Sequence, residues 1–268
     1  MSETSEDEGY GSLGTGILPG HILKRLIREG REIVAEPDIE DRQIQPASID
    51  LRLGRTAFRV RASFLPGPDA AVADKLADVA MHEIDLTAGA VLETGCVYII
   101  PALEKAAFSS RISGAANPKS STGRIDVFTR LITDHGPAFD RVEEGYHGPL
   151  YIEVTPRTFP VLVRTGSRLN QLRLRRGSPA FTDTQLKRLN EVTPLTTGEA
   201  DIAGGLAFSI DLVGEKGGRI GWRAKRHTGL IDVDKTAVLS PFDYWDPIAA
   251  PAGGHLILDP DEFYILVS

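Results

Sequence analysis

The stretch "KSSTGR", residues 119–124, has the side chains that are best suited to hold an anion. Its lysine, serines and arginine offer hydroxyl donors and fixed cations, which are groups that bind phosphate oxygens in proteins. The same residue types are also common in ordinary loops, so the turn alone leaves both interpretations open. A phosphate site here requires that other polar residues converge on the turn.

Two further polar clusters follow, "FDRVEEGYHGPLYIEV" at 139–154 and "GSRLNQLRL" at 166–174. Within the first, apolar residues alternate with Tyr151 and Glu153, which predicts a strand that carries Glu153 on the face opposite to the apolar side chains. A solvent-facing Glu153 would have no chemical role. If its face lines a closed pocket, the carboxyl can instead transfer protons near neutral pH.

Other catalytic classes lack their motifs. The single cysteine, Cys96, cannot supply the ligands of a zinc-dependent nucleobase deaminase, and the six histidines show no HExxH spacing. The sequence has no Gly-x-Ser-x-Gly nucleophile elbow, no Rossmann glycine fingerprint and no GxxxxGK[ST] phosphate loop. We therefore expect neither zinc nor a metal site built from protein ligands.

Composition limits the partners and the compartment. No apolar run approaches the roughly 18 residues that a membrane span needs. The net charge of −7 argues against general nucleic-acid binding, so an anionic ligand must be small and locally bound. Cys96 lies in an apolar run, which predicts a buried structural thiol, and a lone cysteine fits a reducing cytoplasm. The acidic segment 1–16 predicts a disordered tail.

The elements that position the polar clusters are predicted to be mainly strands. "GILPGHILKRLIREGREI" has apolar residues at helical spacing and predicts one short N-terminal helix. "ASIDLRLG" and "VLETGCVYIIP" each predict a strand, and residues 149–176 predict three more. The 27 glycines and 17 prolines suit the tight connections of a sandwich, barrel or jelly roll.

An internal similarity predicts a duplicated domain. "ASIDLRLG" (47–54) is echoed by "FSIDLVGE" (208–215), and "VLETGCVYII" (91–100) by "ILDPDEFYIL" (257–266), in the same order and at similar spacing. Two unrelated strand pairs with similar patterns are the alternative. The predicted organisation is a complete domain at 17–180, a polar linker at 181–200 and a partial second copy at 201–268.

Four ordered blocks resemble the deoxycytidine triphosphate deaminases, a branch of the trimeric dUTPase-like fold. They are "QPASIDLRLG", "KSSTGR", "FDRVEEGYHGPLYIEV" and "GSRLNQL", within about Ile17 to Arg176. The resemblance implies a mainly β, dUTPase-like distorted β-barrel or jelly roll with one short N-terminal helix, followed by the partial second copy. It also implies a homo-oligomer, either a trimer or a pseudo-trimer of duplicated domains, because sites in the family form between subunits.

The resemblance implies catalytic roles for three residues. Glu153 occupies the position of the general base, where ordinary dUTPases have an apolar residue; it would take a proton from a water that attacks C4 of cytosine and pass it to the departing ammonia. Ser120 matches the serine that places this water. Arg124 matches the arginine that holds Glu153 and stabilises charge.

The other matched positions are implied to bind dCTP, whose triphosphate would bring Mg²⁺. They are Lys119 and Ser121 at the triphosphate, Phe139 through its carbonyl at the water, Arg141 as a second active-site arginine, Glu143 at the 3′-hydroxyl, Tyr146 on the deoxyribose and Gln171 in the fourth motif of the fold. Two depart from the family pattern: Lys119 replaces an arginine and so loses bidentate geometry, and Glu143 replaces an aspartate.

Three functional hypotheses are open from the sequence. The first is a deaminase that converts dCTP to dUTP and ammonia. The second is a dUTP pyrophosphatase, or an enzyme that combines both reactions, which would release pyrophosphate. The third is a nucleotide-binding or assembly subunit without catalysis.

Overall fold

The computed structural model describes residues 14–29, 31–214 and 218–268, and its fold is mainly β, as predicted. The predicted tail falls largely on residues 1–13, which lie outside the described residues. The strands are β1 Gly16–Ile17, β2 Ile33–Ala35, β3 Ile49–Leu51, β4 Thr56–Val60, β5 Ala80–Asp85, β6 Ala90–Leu92, β7 Val97–Ala107, β8 Ser113–Pro118, β9 Val127–Thr133, β10 Arg141–Val142, β11 His147–Pro156, β12 Val161–Val163, β13 Asn170–Arg176, β14 Arg219–Ala224, β15 Ile231–Asp232, β16 Trp245–Ala249 and β17 Tyr264–Leu266.

Five helices accompany these strands in the described ranges. They are α1 Gly20–Arg28, α2 Val72–Val79, α3 Ser120–Gly123, α4 Asp183–Val192 and α5 Pro241–Tyr244. Helix α1 is the predicted N-terminal helix, and it begins after Pro19 because the fixed φ of proline suits a helix start. No helix in the described part of the chain is long and apolar enough to cross a membrane.

The chain divides into two compact units. The first comprises the chain up to Pro179 together with Leu230–Thr236, and the second comprises Ala180–Gly229 and Ala237–Ser268. The first unit holds three sheets. The first sheet has the order β1-β13-β8-β10, and β3 also pairs with β13. The second has the order β5-β4-β7-β11-β9, and β2 also pairs with β7. The third has the order β15-β12-β6.

Strand β11 carries Glu153 through the interior of the first unit. It lies between β7 and β9, antiparallel to both, with Glu153 opposite Ile99 on one side and Arg130 on the other. Its residues from Leu150 onward are buried on both faces, because Tyr151 packs into an apolar cluster that includes helix α2. The alternative of a solvent-facing Glu153 is therefore wrong.

A segment of the C-terminal region is built into the first unit. Strand β15 pairs in parallel with β12, which places Asp232 beside Arg164. The two guanidinium nitrogens Nη1 and Nη2 donate to the carboxylate at 2.7 and 2.9 Å. Arg164 thereby holds the pKa of Asp232 at about 2, below its usual 3.8. Ser167 adds a hydrogen bond of 2.7 Å to Asp234.

The sheet of the second unit has a strand arrangement that also occurs in the first unit. Its order is β16-β14-β17, all antiparallel, which matches β5-β4-β7 in chain order and direction. Helix α5 runs directly into β16 as α2 runs into β5. Tyr98 and Tyr264 each accept a hydrogen bond from the backbone N–H five residues earlier, at 3.0 and 3.1 Å, and each lies opposite an arginine, Arg59 and Arg223.

Local details differ from the predictions. The run "VLETGCVYIIP" is two strands, β6 and β7, rather than one, because the chain turns at Gly95, whose φ of 74° favours glycine. Cys96 is half-buried instead of buried, and its sulfur accepts a hydrogen bond from Arg59. Helix α2 was not predicted, and the predicted linker contains α4.

Candidate active site

Glu153 is a buried carboxylate with an arginine partner. Its side chain is 1% exposed, and Oε1 accepts hydrogen bonds from Nη2 and Nε of Arg130 at 2.7 and 3.1 Å. The other oxygen, Oε2, is buried and has no hydrogen-bond partner among the described residues. The carboxylate therefore has one oxygen held by a cation and one oxygen available to a ligand or a proton.

Arg130 is itself held in place on strand β9. Its guanidinium lies 3.7 Å from the centroid of the Phe139 ring and 5.0 Å from that of Phe128. Such cation–π contacts are stronger where water is excluded. Nη2 also donates to Ser63 Oγ at 2.6 Å. The arginine is thus fixed by aromatic and polar contacts before it reaches Glu153.

The turn after β9 places Phe139. Asp140 adopts a left-handed φ of 61°, and its Oδ1 accepts a hydrogen bond from the backbone N–H of Leu131 at 2.8 Å. Burial raises the pKa of Asp140, and the charge of Glu153 raises it further. The hydrogen bond from Leu131 and the charge of Arg130 lower this pKa in part. Asp140 is a second acidic group near the Glu153–Arg130 pair.

The "KSSTGR" turn forms the short helix α3. Lys119 is its N-cap, and Thr122 is its buried side chain. Ser120, Ser121 and Arg124 are exposed. The hydroxyls and the arginine of this turn are accordingly accessible for contacts outside the chain.

The turn meets residues of two other blocks, "QPASIDLRLG" and "GSRLNQL", at Asp50. This carboxylate, 2% exposed, pairs with Nζ of Lys119 and lies 3.6 Å from Nη1 of Arg168. Gln171 is opposite Asp50 across β3 and β13, and its Oε1 accepts a 2.9 Å hydrogen bond from Ser48. The convergence that the phosphate interpretation required is therefore present around Lys119.

A cleft of about 870 Å³ opens beside this network, within the first unit. The volume is within the range of small-molecule sites. Its charged lining consists of Arg42, Arg52, Arg55, Lys119, Arg164 and Arg168 against Glu36, Glu40 and Asp234, and Ser121 also contributes. The cations of the lining outnumber its carboxylates, although Asp50, Glu104 and Asp232 behind the lining pair with three of them. Glu153 does not line this cleft.

The remaining predicted residues lie in β10 and in the turn between β10 and β11. Arg141 and Glu143 form a 2.8 Å ion pair, but both side chains are more than half exposed, so the pair adds little stability. The hydroxyl of Tyr146 donates to Pro149 O at 2.8 Å and accepts from Asp134 N at 3.1 Å. Burial raises the pKa of Tyr146 to about 12.

Within one chain the predicted site residues form two groups. Glu153 and Phe139 lie together, whereas Lys119, Ser121 and Gln171 lie at or beside the cleft. In the described residues, Arg130 and not Arg124 donates to Glu153. Arg130 was missed by the sequence analysis. The available signal was an arginine in the strand "VFTRLIT" that could pair with the strand carrying Glu153.

The described residues contain no group of three or more His, Cys, Asp or Glu side chains that could hold a metal ion. A buried carboxylate that can exchange a proton and a cationic cleft that can hold a polyanion together define an enzyme that acts on an anionic small molecule such as a nucleotide.

Comparison with known proteins identifies the family. Two family models match, the N-terminal domain of 2'-deoxycytidine 5'-triphosphate deaminase over residues 14–178 and its C-terminal domain over residues 182–268. The chain belongs to the dCTP deaminase family, and its mainly β fold is dUTPase-like.

Individual relatives agree with this assignment. The crystal structure of 2'-deoxycytidine 5'-triphosphate deaminase from Agrobacterium tumefaciens is 50% identical, with a TM-score of 0.89 over 94% of this chain and 76% of that chain. A dCTP deaminase from Haloarcula marismortui is 30% identical over 56% of this chain and 75% of its own length. A "dCTP deaminase, dUMP-forming" from Dictyoglomus thermophilum is 25% identical over 62% of this chain and 84% of its own length.

Proposed function

We propose that this protein catalyses the hydrolytic deamination of dCTP to dUTP and ammonia with Glu153 as the general base. The observation that carries the proposal is the state of this carboxylate, which is 1% exposed, held by Arg130 through Oε1 and unpartnered at Oε2. Oε2 takes a proton from the water that attacks C4 of cytosine. The same oxygen returns the proton to the departing ammonia, a role that contributes about 10²- to 10⁴-fold in rate.

The triphosphate is proposed to bind at the cationic cleft. Lys119 and Ser121 line it, and Asp50 fixes the direction of the lysine side chain. Mg²⁺ would enter with the nucleotide, bound through the phosphate oxygens. Tyr146 would pack on the deoxyribose. Glu143, whose carboxylate is exposed, would contact the 3′-hydroxyl of the sugar.

We further propose that a complete site takes residues from two subunits of a homo-oligomer. The support is that Glu153 is absent from the lining of the cleft, while Ser120 and Arg124 are exposed and free to reach a neighbouring copy. The assembly implied by the resemblance is a trimer, or a pseudo-trimer of duplicated domains. Mixing the inactive variants Glu153→Gln and Arg124→Gln tests this, since mixed oligomers should regain ammonia release only if sites are shared. If subunit exchange is demonstrated and ammonia release does not recover, the proposal that sites are shared between subunits is contradicted.

The test of the deaminase proposal is Glu153→Gln, which keeps the shape of the side chain and removes its basicity. Ammonia release from dCTP with Mg²⁺ should fall by about 10²-fold or more, while the thermal unfolding midpoint stays close to that of the wild type. Glu83→Gln, at an exposed position of β5, is the matched control and should keep full activity. Full activity in Glu153→Gln would remove this residue from the mechanism.

A second candidate is an enzyme that also cleaves dUTP. The Dictyoglomus thermophilum relative is named as dUMP-forming, and the same cleft would hold the triphosphate for that step. Product analysis separates the candidates, since dUTP alone indicates a deaminase, and dUMP with pyrophosphate indicates a combined activity. Tight dCTP binding without turnover would instead indicate a nucleotide-binding or assembly subunit.

We also propose that residues 201–268 contain a partial second copy of the fold. The support is the shared order of β4, β5, β7 and of β14, β16, β17, together with the two tyrosine hydrogen bonds. An experimental structure should superpose the two strand sets in the register that places Tyr264 on Tyr98. Any other register would contradict duplication.

A further inference from the structure

We infer that Arg130 is a positioning residue of the deamination site, which acts on the reaction only through Glu153. The inference rests on the proposed function, and it adds a residue that neither the family resemblance nor the sequence pattern assigned. Its basis is the pair of hydrogen bonds, at 2.7 and 3.1 Å, from one guanidinium to a single carboxylate oxygen.

The surroundings of Glu153 show why such a partner is needed. On the same face of the sheet lie Ile99, Ile132 and Tyr151, which belong to an apolar cluster. A charge in these surroundings is strongly disfavoured unless it is paired. Among the described residues Arg130 is the cation that hydrogen-bonds to Glu153, so it is the group that offsets the cost of burying this side chain.

Arg130 also determines which oxygen reacts. Because both of its hydrogen bonds go to Oε1, that oxygen is occupied and Oε2 is left as the proton acceptor. The arginine is fixed by the Phe139 ring at 3.7 Å and by Ser63 at 2.6 Å. The carboxylate therefore keeps one orientation before substrate arrives, which is the geometric requirement for a general base.

The first experiment measures steady-state kinetics of Arg130→Gln and Arg130→Lys. Arg130→Gln should lower kcat by roughly 10²-fold while KM for dCTP stays within about twofold, because substrate does not contact the arginine. Arg130→Lys keeps the charge and should recover part of this loss. A rise in KM with unchanged kcat would make Arg130 a substrate contact, and unchanged kinetics would make it irrelevant; either result overturns the inference.

The second experiment uses the pH profile of kcat. Arg130 on β9 hydrogen-bonds to Glu153, and Asp140 in the following turn interacts with it electrostatically, whereas its neighbour on β7 is the apolar Ile99. Tyr151, on the same face, also interacts with Asp74 and Asp134. Arg130→Gln removes the charged hydrogen-bond donor at Oε1, so its pH profile of kcat should differ from that of the wild type. An arginine that merely supports the fold would lower kcat without changing the profile.

A double-mutant comparison separates positioning from structural support. If Arg130 acts only through Glu153, adding Arg130→Gln to Glu153→Gln should cause no further loss of kcat. An additional loss of tenfold or more would show a separate role and overturn the inference. Arg59→Gln is the matched control, because Arg59 is also a strand arginine but donates to the sulfur atoms of Met81 on β5 and of Cys96 in the turn before β7. It should keep wild-type kcat.

A measurement without turnover distinguishes failure of this inference from failure of the proposed function. Infrared difference spectra between the wild type and Glu153→Gln isolate the carboxyl of Glu153. The frequency of the carboxyl stretch should differ between the wild type and the Arg130→Gln background, because the two hydrogen bonds to Oε1 are lost. An unchanged carboxyl signal in that background overturns the inference whether or not the protein deaminates dCTP.

Discussion

Removing the carboxylate of Glu104 should cost more stability than removing both members of its ion pair. Glu104 is fully buried on β7, and its Oε1 accepts hydrogen bonds from Gln43 at 2.9 Å and from Arg52 Nε at 2.7 Å. Its Oε2 accepts from the backbone N–H of Arg52 at 2.8 Å. Because Arg52 lines the cationic cleft, this pair anchors the proposed triphosphate site to the core.

The magnitude follows from what Arg52 keeps after Glu104→Ala. Its side chain is 6% exposed and would retain only the carbonyls of Pro37 and Asp38, at 2.7 and 3.3 Å. Leaving one buried charge without its partner costs about 3–5 kcal/mol. At roughly 2–4 °C per kcal/mol for domains of this size, the unfolding midpoint should fall by about 6–20 °C. Replacing both residues, as in Arg52→Met with Glu104→Leu, removes the uncompensated charge and should recover about 2 kcal/mol or more.

The assay must report the first unit. Both tryptophans, Trp222 and Trp245, lie in the second unit, so their fluorescence follows that unit. Hydrogen exchange at the amides of β3 and β7, measured as a function of urea, follows the first unit instead. If the double variant is as unstable as Glu104→Ala, or less stable, the argument from an uncompensated buried charge is refuted. The single variant should also bind dCTP more weakly.

Three further outcomes are expected. The pKa of Tyr146 is raised to about 12 from 10.0. The stability that its neutral hydroxyl contributes is therefore complete below pH 10 and is lost as pH rises through 12. A titration followed by tyrosinate absorbance should lose its last step in Tyr146→Phe. In Gly148→Ala the new Cβ would lie 2.6 Å from the Tyr146 hydroxyl, which should cost about 1–3 kcal/mol in urea unfolding, and Tyr146→Phe should relieve part of it. The pKa of Asp232 is lowered to about 2 from 3.8. The stabilisation by its carboxylate is therefore complete above pH 4 and is lost as pH falls through 2. The difference in unfolding midpoint between the wild type and Asp232→Asn should be constant near neutrality and shrink in acid.

The elements with strong local signals could be predicted from the sequence. Helix α1 was predicted because its apolar residues recur at helical spacing and Pro19 precedes it. Both signals lie within one short segment of the sequence. Strands β11, β12 and β13 were predicted because alternation and the intervening proline and glycine residues are equally local. The family blocks then indicated the fold and the position of Glu153.

The partner of Glu153 could not be predicted in the same way. Arg130 lies 23 residues earlier in the chain, and whether it meets Glu153 depends on the register between β9 and β11. A shift of one residue would turn the arginine to the other face of the sheet. The local sequence pattern does not encode that register. Arg130 could therefore be identified only from the pairing of β9 and β11 in the structure.

The burial of Glu153 depended on an element that the sequence analysis did not predict. "PLYIEV" alternates as an amphipathic strand would, but helix α2 packs Val72 and Leu76 onto the cluster that also contains Tyr151. The second face is thereby covered as well. An alternating strand pattern reports the contrast between two faces; it does not report whether a helix from elsewhere in the chain covers the polar one.

The strands β14, β16 and β17 are arranged like β4, β5 and β7 of the first unit. In the first unit these strands precede the "KSSTGR" turn, Arg130 and Glu153. What the two units share is a backbone N–H bonded to a tyrosine hydroxyl and an arginine opposite that tyrosine. These contacts fix the local turn and strand register rather than a substrate. Hydrogen bonds of this kind contribute about 1 kcal/mol each, so folding of each sheet is enough to explain why both units contain them.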